Sequence, residues 1–309
     1  MLVLLLACIS TAPTELREGP DGDADTDTDA DTDTDVASAG CGETTSLKAG
    51  GVARSLDAGA AGDGARSYWL SLPRDYDADT PHAVVVGYAG TNWFGEQIQP
   101  YLDLERHASE PVIFVYPDPL WRDFDGWGTY GGWVLGPHAD PANGMGDLVF
   151  TEKLLDELEA EFCVDASRVF VTGHSWGGDM AAVASCFLGD RVTAGAPVAA
   201  NTPNWFEPSS GDFACEGSAA VWTWFGLGDD HFTWQSYAGE FGNDQVDFWL
   251  DEHGCSGSYE DIGLDNGNGQ CVEYAGCSTD TLYCLYGSSA GHQVPGYYAS
   301  TTMEWFEGF

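Results

Sequence analysis

The chain contains very few positively charged residues. Its 309 residues include 10 Lys and Arg against 50 Asp and Glu, which gives a formal net charge of −40, and its two lysines are Lys48 and Lys153. A surface this acidic repels phosphate backbones and anionic headgroups, so nucleic acids and acidic membranes are disfavoured as partners. A neutral substrate is compatible with such an acidic surface. The charge also suits a salty habitat in which screening reduces self-repulsion, with compositional drift as the alternative.

Long apolar runs and metal-binding spacings are also missing. The N-terminal run MLVLLLACIS is too short to span a bilayer, and residues 1–8 are typical of a signal peptide. Residues 5–8, LLAC, resemble a lipobox, which would make Cys8 a lipidated membrane tether; simple secretion with nearby cleavage is the alternative. No C-x-x-C or H-x-x-x-H spacing occurs, so we expect neither a metal site nor a cofactor.

Large apolar residues are absent from 21–35, DGDADTDTDADTDTD. A segment of this kind cannot bury enough surface to offset its ordering entropy, and its like charges keep it extended. We therefore expect a disordered spacer over 9–40 and a catalytic domain over 41–309. A calcium loop is the alternative reading of the Asp repeat, but the Gly at the sixth position and the Glu at the twelfth are missing.

Nine cysteines are present, and setting Cys8 aside leaves an even number. In an exported chain this predicts up to four disulfides, whose pairing the sequence leaves open. The eight are Cys41, Cys163, Cys186, Cys215, Cys255, Cys271, Cys277 and Cys284.

Apolar runs bounded by turn residues alternate with helical patterns along the chain. The runs predict buried strands at 68–72, 83–88, 112–117, 168–173 and 220–226. Apolar stripes predict helices over 147–162, with Asp147 or Thr151 as N-cap, and over 238–253, ended by Gly254. This alternation predicts an α/β fold with a mostly parallel sheet, helices on both faces and an active site at the carboxyl ends of the strands.

The pattern G-x-S-x-G occurs twice, around Ser175 in GHSWG and around Ser289 in GSSAG. Ser175 follows the β-branched run RVFVT and precedes the helix-forming DMAAVASCFL, so strand, tight turn and helix succeed one another as a nucleophile elbow requires. Ser289 is followed by HQVPGYY, in which Pro295 opposes an immediate helix. We therefore predict Ser175 as the nucleophile, with the Trp176 amide facing an oxyanion.

A serine nucleophile needs a base and an acid that orients it. Asp229 and Asp230 both follow the strand 220–226, and His292 lies in a Gly-rich loop after a late strand. His231 competes with His292, but it follows the acid too closely to point back at it. The order Ser, Asp, His is that of α/β-hydrolases.

These segments resemble secreted feruloyl esterases and polyhydroxyalkanoate depolymerases, in the group that contains acetyl xylan esterases. The resemblance covers roughly 65–309. Segments 146–165 and 162–186 carry it, together with two short motifs. VWTWFGLGDD matches the family's H-G-x-x-D strand, and GHQVPG matches its G-H-x-x-P-G loop. It implies the α/β-hydrolase fold in one domain and selects Asp229 as acid and His292 as base.

The chain departs from that family just after the strand predicted at 83–88. The family has His-Gly-Cys there, whereas this chain has Ala89-Gly90-Thr91, and Phe225 replaces a family His in the acid strand. We expect the Thr91 amide to complete the oxyanion hole.

The resemblance implies a secreted or surface-anchored serine esterase that removes feruloyl or acetyl groups from polysaccharide. Polyester depolymerisation is the second possibility, and a catalytically inactive binding protein on the same scaffold is a third, of another class. The aromatic stretch 121–133, WRDFDGWGTYGGW, predicts a loop whose ring faces suit sugars, aromatic acids or polyester chains.

Overall fold

The computed structural model describes residues 37–124, 126, 128–135, 145–203, 215–217, 219–229, 238–264, 269–287 and 291–309. The predicted signal segment 1–8, with Cys8, and the Asp repeat with its calcium alternative lie outside these residues. Across the described ranges, every helix is too short or too polar to span a bilayer.

Twelve strands and five α-helices lie in the described part of the chain. In chain order they are β1 Gly50–Asp57, β2 Ala65–Leu72, β3 His82–Tyr88, α1 Gly95–Leu102, β4 Ile113–Pro117, β5 Leu120–Phe124, β6 Gly128–Gly132, α2 Gly146–Glu161, β7 Val164–His174, α3 Trp176–Phe187, β8 Ala194–Val198, β9 Ala220–Gly226, α4 Ala238–Glu252, β10 Tyr259–Asp261, β11 Gln270–Tyr274, β12 Thr281–Tyr286 and α5 Tyr298–Phe306.

Ten of these strands form one sheet in the order β1-β2-β4-β3-β7-β8-β9-β12-β11-β10, while β5 and β6 form a separate hairpin. The six central strands, from β4 to β12, pair in parallel, and the outer pairs are antiparallel. This is the predicted α/β-hydrolase fold with a mostly parallel sheet.

Apolar layers cover both faces of the sheet because successive strand residues point to opposite sides. Val84 and Val86 pack in one core with residues of α2 and α3, whereas Val85 packs in another with residues of α1 and α5. All seven residues of β3 are buried, as a central parallel strand requires. The compact unit, Asp35–Phe309, is a single domain.

The N-cap residue of helix α2 differs from the two predicted candidates. It starts at Gly146 with Met145 in the cap position, so the predicted N-cap at Asp147 or Thr151 is wrong. Thr151 instead donates to the Asp147 carbonyl at 2.9 Å. The predicted apolar stripe is buried: Phe150, Leu154, Leu155, Leu158 and Phe162.

The N-terminal boundary of the domain lies earlier than predicted. Ser38 and Gly40, assigned to the spacer, are part of the fold: the Ser38 amide donates to the Val164 carbonyl at 2.9 Å, and the Gly40 amide donates to the Glu159 carbonyl at 2.8 Å. Residues 37–40 therefore belong to the described fold and not to the predicted spacer. The prediction is wrong at these residues because the small residues ASAG next to an acidic repeat carry no local strand signal.

All eight predicted cysteines are paired. The disulfides are Cys41–Cys163, Cys186–Cys215, Cys255–Cys277 and Cys271–Cys284. The first joins residues 122 apart and ties the N-terminal segment to the start of β7. Four disulfides fit a protein that resides in an oxidising environment outside the cytoplasm.

A buried carboxylate, Asp147, joins α2 to the β5–β6 hairpin. It accepts hydrogen bonds from Arg66 at 2.7 Å, from Arg122 at 2.9 Å and from the Val134 amide at 2.6 Å. The side chains of Asp147 and Arg66 are fully buried. Burial lowers the pKa of Arg66, and the charge of Asp147 opposes this. These ion pairs add to the pairing of its two short strands in fixing the hairpin to the fold.

Removing this carboxylate should destabilise the fold. Asp147→Ala leaves two guanidinium groups without their buried partner, so we expect a loss of about 3–5 kcal/mol in the free energy of unfolding, measured by urea denaturation. Asp156→Ala is the matched control on the same helix, because Asp156 forms half-exposed ion pairs. The control should change stability by less than about 1 kcal/mol. Equal losses in the two variants would contradict the role given to Asp147.

His253 should lower the stability of the fold at acid pH. It is buried after α4, with Nδ1 2.7 Å from Thr281 Oγ1, and desolvation lowers its pKa from 6.5 to about 4. Between these values the unfolded chain binds a proton that the folded protein does not. The contribution of neutral His253 to the free energy of unfolding is fully present above about pH 6.5 and is lost as the pH falls towards 4. His253→Gln should therefore lose less stability than wild type between neutral pH and about pH 5 in urea titrations, and equal losses would refute this.

Candidate active site

Ser175 sits at the turn between β7 and α3 in a strained backbone conformation. Its φ is 60° and its ψ is −130°, in a region that L-residues rarely adopt. The flanking glycines permit the turn: a Cβ on Gly173 would overlap the Gly177 carbonyl, and one on Gly177 would overlap the Tyr88 carbonyl. This is the predicted nucleophile elbow in geometry, with a serine at the carboxyl end of a central strand.

Hydrogen bonds on both sides fix the elbow. The Ser175 amide donates to the Val198 carbonyl of β8 at 3.0 Å, and the Ser175 carbonyl accepts the Asp179 amide at 3.0 Å. Trp176 is the first residue of α3, so its amide lies at the N-terminus of a twelve-residue helix. Such an end carries partial positive charge and suits a developing oxyanion.

His292 and Asp229 form a hydrogen-bonded acid–base pair. His292 Nδ1 lies 2.7 Å from Asp229 Oδ2, and the side chains are 9% and 0% exposed. Asp229 follows β9 and His292 follows β12, which are neighbouring parallel strands. The predicted competitors Asp230 and His231 lie outside the described residues.

Two rings that the sequence did not mark as site residues connect this pair to the elbow. His174, next to the serine, packs its ring 4.7 Å from that of His292, and Tyr101 of α1 packs 5.3 Å from His174. The Tyr101 hydroxyl also accepts the Val294 amide from the His292 loop at 3.1 Å. These contacts join the His292 loop to the residue before Ser175. Only the fold brings residues 101, 174 and 294 together, so no sequence signal marks them.

The loop after β3 lies against the serine on the other side. A Cβ on Gly90 would lie 3.5 Å from the Ser175 Cβ, which places Thr91 beside the elbow. Asn92 anchors the loop to the hairpin, since its amide donates to the Gly131 carbonyl at 2.8 Å and its side chain accepts the Gly131 amide at 2.9 Å. The loop therefore borders the elbow and is fixed to the hairpin.

The aromatic stretch 121–133 forms a hairpin where a loop was predicted. Strands β5 and β6 pair across it, and the Trp176 ring contacts Phe124, with centroids 4.5 Å apart. A Cβ on Gly132 would lie 2.8 Å from the same indole, so the hairpin packs directly over Trp176. Trp121 remains 57% exposed on its outer side. The prediction failed because the buried ion pairs of Arg122 are not visible in a local pattern.

Other candidate residues lie elsewhere or serve structure. Ser289 lies outside the described residues, and α5 begins only at Tyr298. His82 is buried, with its ring nitrogens 3.1 Å from the Pro111 carbonyl and 2.9 Å from the Asp77 carbonyl. Within the described ranges, no group of three His, Cys, Asp or Glu side chains is arranged to hold a metal ion.

A second buried carboxylate, Asp179, lies one helical turn after the serine. Its Oδ1 accepts the Asn201 amide at 2.6 Å, and both of its oxygens lie 3.3 Å from Asn201 Nδ2. Burial raises the pKa of Asp179 to about 7, while the Asn201 hydrogen bonds and the charge of His292 act in the opposite direction. No sequence signal marks Asp179, because an acid in the first turn of a helix is common.

Known esterases resemble this chain in sequence and in structure. No protein-family model matches the chain. It is 33% identical over 155 residues to a probable feruloyl esterase C of Aspergillus niger, covering 48% of each chain. It is 24% identical over 268 residues to a probable feruloyl esterase C of Aspergillus terreus, covering 83% of each. In the first of these matches the chain spans about half the length of its curated relative.

An acetyl xylan esterase from Aspergillus awamori has a similar structure, with a TM-score of 0.60, 17% identity, and coverage of 83% of this chain and 99% of that one. At this identity the likeness shows the fold, and the sequence similarity to feruloyl esterases is a separate observation. The structural likeness shows the α/β-hydrolase fold, and over about half of its length the chain is similar in sequence to feruloyl esterases.

Proposed function

We propose that this protein is a serine carboxylic-ester hydrolase with Ser175 as nucleophile, His292 as base and Asp229 as the acid that orients the base. The observation that carries the proposal is the 2.7 Å Asp229–His292 hydrogen bond. The His292 ring packs 4.7 Å from that of His174, which ends central strand β7 and directly precedes Ser175 with its φ of 60°. Similarity to feruloyl esterases supports the same reaction class.

In the proposed cycle His292 Nε2 takes the proton of Ser175 as Oγ attacks the ester carbonyl carbon. Asp229 accepts the Nδ1–H and so fixes the tautomer that leaves Nε2 basic. The imidazolium then protonates the departing alkoxide, leaving an acyl-enzyme. Water attacks this intermediate with His292 again as base, and the acid product and free serine are released. Activity falls at acid pH because protonated His292 cannot act as base.

The amides of Trp176 and Thr91 are proposed to bind the oxyanion. Trp176 contributes the N-terminus of α3, and Thr91 lies in the loop that Asn92 anchors to the hairpin. Each such donor is worth about 3 kcal/mol of transition-state stabilisation. The Ala89-Gly90-Thr91 sequence leaves this possible since any residue other than proline has an amide.

The proposed substrates are feruloyl or acetyl esters of a neutral polysaccharide. Phe124 packs on Trp176 at the elbow, and Trp121 in the hairpin and Trp93 and Phe94 after β3 are at least 39% exposed. Such faces bind sugar rings and aryl acids. The net charge of −40 favours a neutral polymer over an acidic one. No cofactor is needed for this chemistry.

We further propose that the enzyme acts outside the cytoplasm, either secreted or tethered through a lipidated Cys8. The four disulfides support an oxidising location. The acidic segment 9–36 would serve as the spacer between a tether and the domain.

Loss of the nucleophile should abolish turnover. Ser175→Ala should lower kcat/KM on 4-nitrophenyl acetate by about 10³-fold or more, and adding His292→Ala should cost little further because the groups act as a unit. Ser289→Ala is the control and should retain activity. A serine-directed phosphonate should label Ser175 in wild type. No labelling and no turnover would instead indicate an inactive binding protein.

Substrate class can be separated by direct comparison. Wild type should hydrolyse methyl ferulate and acetylated xylan without clearing a polyhydroxybutyrate film; the reverse result would favour the polyester depolymerase. Trp121→Ala should raise KM on feruloylated arabinoxylan by about 3-fold or more with kcat little changed, since an exposed stacking face is lost. Tyr259→Ala on β10 is the matched control, because Tyr259 is 52% exposed and Trp121 57%.

A further inference from the structure

His292 stands at the tip of a very narrow turn. The Gln293 amide donates to the Gly291 carbonyl at 2.8 Å, which closes a three-residue γ-turn with His292 as its central residue. Connecting segments are more mobile than the elements they join, whereas a general base must stay within hydrogen-bond reach of its nucleophile. A turn of this size has a single hydrogen bond of its own. The position of His292 therefore depends on what holds the residues next to the turn.

Two tyrosine hydroxyls hold the peptide group that follows this turn. Tyr286, the last residue of β12, donates its hydroxyl to the Gln293 carbonyl at 2.6 Å. The hydroxyl of Tyr101, on α1, accepts the Val294 amide at 3.1 Å. This carbonyl and this amide belong to one planar trans peptide unit, in which C=O and N–H point in opposite directions. The peptide unit is therefore held from both sides, and only the α-carbon of Gln293 separates it from the turn.

Tyr286 also joins the segment of the base to that of the acid. Its backbone carbonyl accepts the Leu227 amide at 3.0 Å, and the Asp229 amide donates to the Gly226 carbonyl at 3.1 Å within the same segment. The side chain of Tyr286 is 2% exposed. Burial, together with the charge of Asp229, raises the pKa of its hydroxyl well above the ordinary value, so the hydroxyl stays protonated and remains a donor. One residue thus sets the spacing between the acid and the base.

Tyr101 reaches the base by a second route, through its ring. The Tyr101 ring packs 5.3 Å from that of His174, and the His174 ring packs 4.7 Å from that of His292. The Trp93 ring lies 5.2 Å from Tyr101 and adds to its packing. The ring and the hydroxyl of Tyr101 therefore act on different groups, and a change of the hydroxyl alone leaves the ring contacts in place.

We propose that Tyr101 and Tyr286 are positioning residues that clamp the 293–294 peptide and thereby keep the His292 imidazole against Asp229 at the elbow. This tyrosine clamp rests on the proposed esterase function and adds to it two groups that act through the base. Asp229 orients the ring by bonding Nδ1, whereas the clamp fixes the backbone from which the ring projects. Neither hydroxyl takes part in proton transfer.

The test is the steady-state kinetics of Tyr101→Phe, Tyr286→Phe and the double variant on 4-nitrophenyl acetate. Each single substitution removes one oxygen and keeps the ring. Loss of one hydrogen bond lets the turn leave its competent position for part of the time, so kcat should fall by about 3- to 10-fold. KM should stay within about 2-fold of wild type, because the clamp holds the base and not the substrate. The double variant should lose more than either single variant.

Tyr76→Phe is the matched control. The Tyr76 hydroxyl accepts the Cys163 amide at 2.9 Å, next to the start of β7 and so at the opposite end of that strand from the elbow. Like Tyr101, Tyr76 is partly buried and bonds a backbone amide. The control loses the same kind of bond and should keep the wild-type kcat. An equal fall of kcat in this variant would overturn the clamp, because any loosening of the fold would then have the same effect.

A second readout follows the imidazole itself and does not require turnover. The Nδ1–H that His292 donates to Asp229 over 2.7 Å should give a downfield proton resonance, identified by its absence from His292→Ala. Wild type and Tyr76→Phe should show this resonance. It should weaken or broaden in Tyr101→Phe and Tyr286→Phe, because the ring leaves Asp229 for part of the time. A fall in kcat with an unchanged resonance would overturn the clamp, since the ring would have kept its place.

The outcomes distinguish the clamp from the proposed function. If wild type neither turns over the ester nor reacts with a serine-directed phosphonate, the esterase function fails, while the resonance still reports on the clamp. If wild type is active and both tyrosine variants keep its kcat and its resonance, only the clamp is overturned. Should Tyr286→Phe not fold, Tyr101→Phe decides alone, because it removes one oxygen from a side chain that is only partly buried.

Discussion

The close approach of α3 to the central sheet is the constraint on which the rest of the site depends. The backbones at Gly173 and Gly177 touch each other and Tyr88 so tightly that no side chain fits, and the serine between them adopts φ of 60°. That conformation costs about 1–2 kcal/mol, which the surrounding packing must offset. Ten of the twelve residues of α3 are buried, so the strained turn rests on a rigid core.

The order of the strands explains how distant residues meet at this turn. β7 lies between β3 and β8, so the oxyanion loop after β3 approaches the serine from one side. On the other side β8, β9 and β12 follow in succession, and their carboxyl ends supply Asn201, Asp229 and His292. All of these strands are parallel, so each contributes its following loop to the same edge. Five consecutive neighbours, β3, β7, β8, β9 and β12, thus bring candidate site residues together that lie up to 201 positions apart in sequence, from Thr91 to His292.

The sequence predicted those parts of the molecule that local patterns encode. The runs at 83–88 and 220–226 are fully buried strands, and a mostly apolar segment of that length is typical of such a strand. Short or composite elements escaped prediction: β8 is AGAPV, with three small residues and a proline, and the β5–β6 hairpin depends on the contact of Arg122 with Asp147. Cysteine pairing and the ring contact of Tyr101 with His174 depend on proximity in the folded chain, which no spacing in the sequence indicates.

The large negative charge and the buried carboxylates act on the site very differently. A net charge of −40 would favour any protonated imidazole if its field reached the active site undiminished. Most of those acids are at the surface, however, where salt at about 0.1 M screens charges beyond roughly 10 Å. Asp229 and Asp179 are almost fully buried, and buried charges are screened far less. Asp229, in hydrogen-bond contact with His292, therefore acts on that ring more directly than the surface acids do. The acidic surface bears instead on solubility and on the neutral polymer proposed as substrate. A chain can accumulate surface acids without altering the chemistry of its site, provided that the residues behind the elbow keep their contacts.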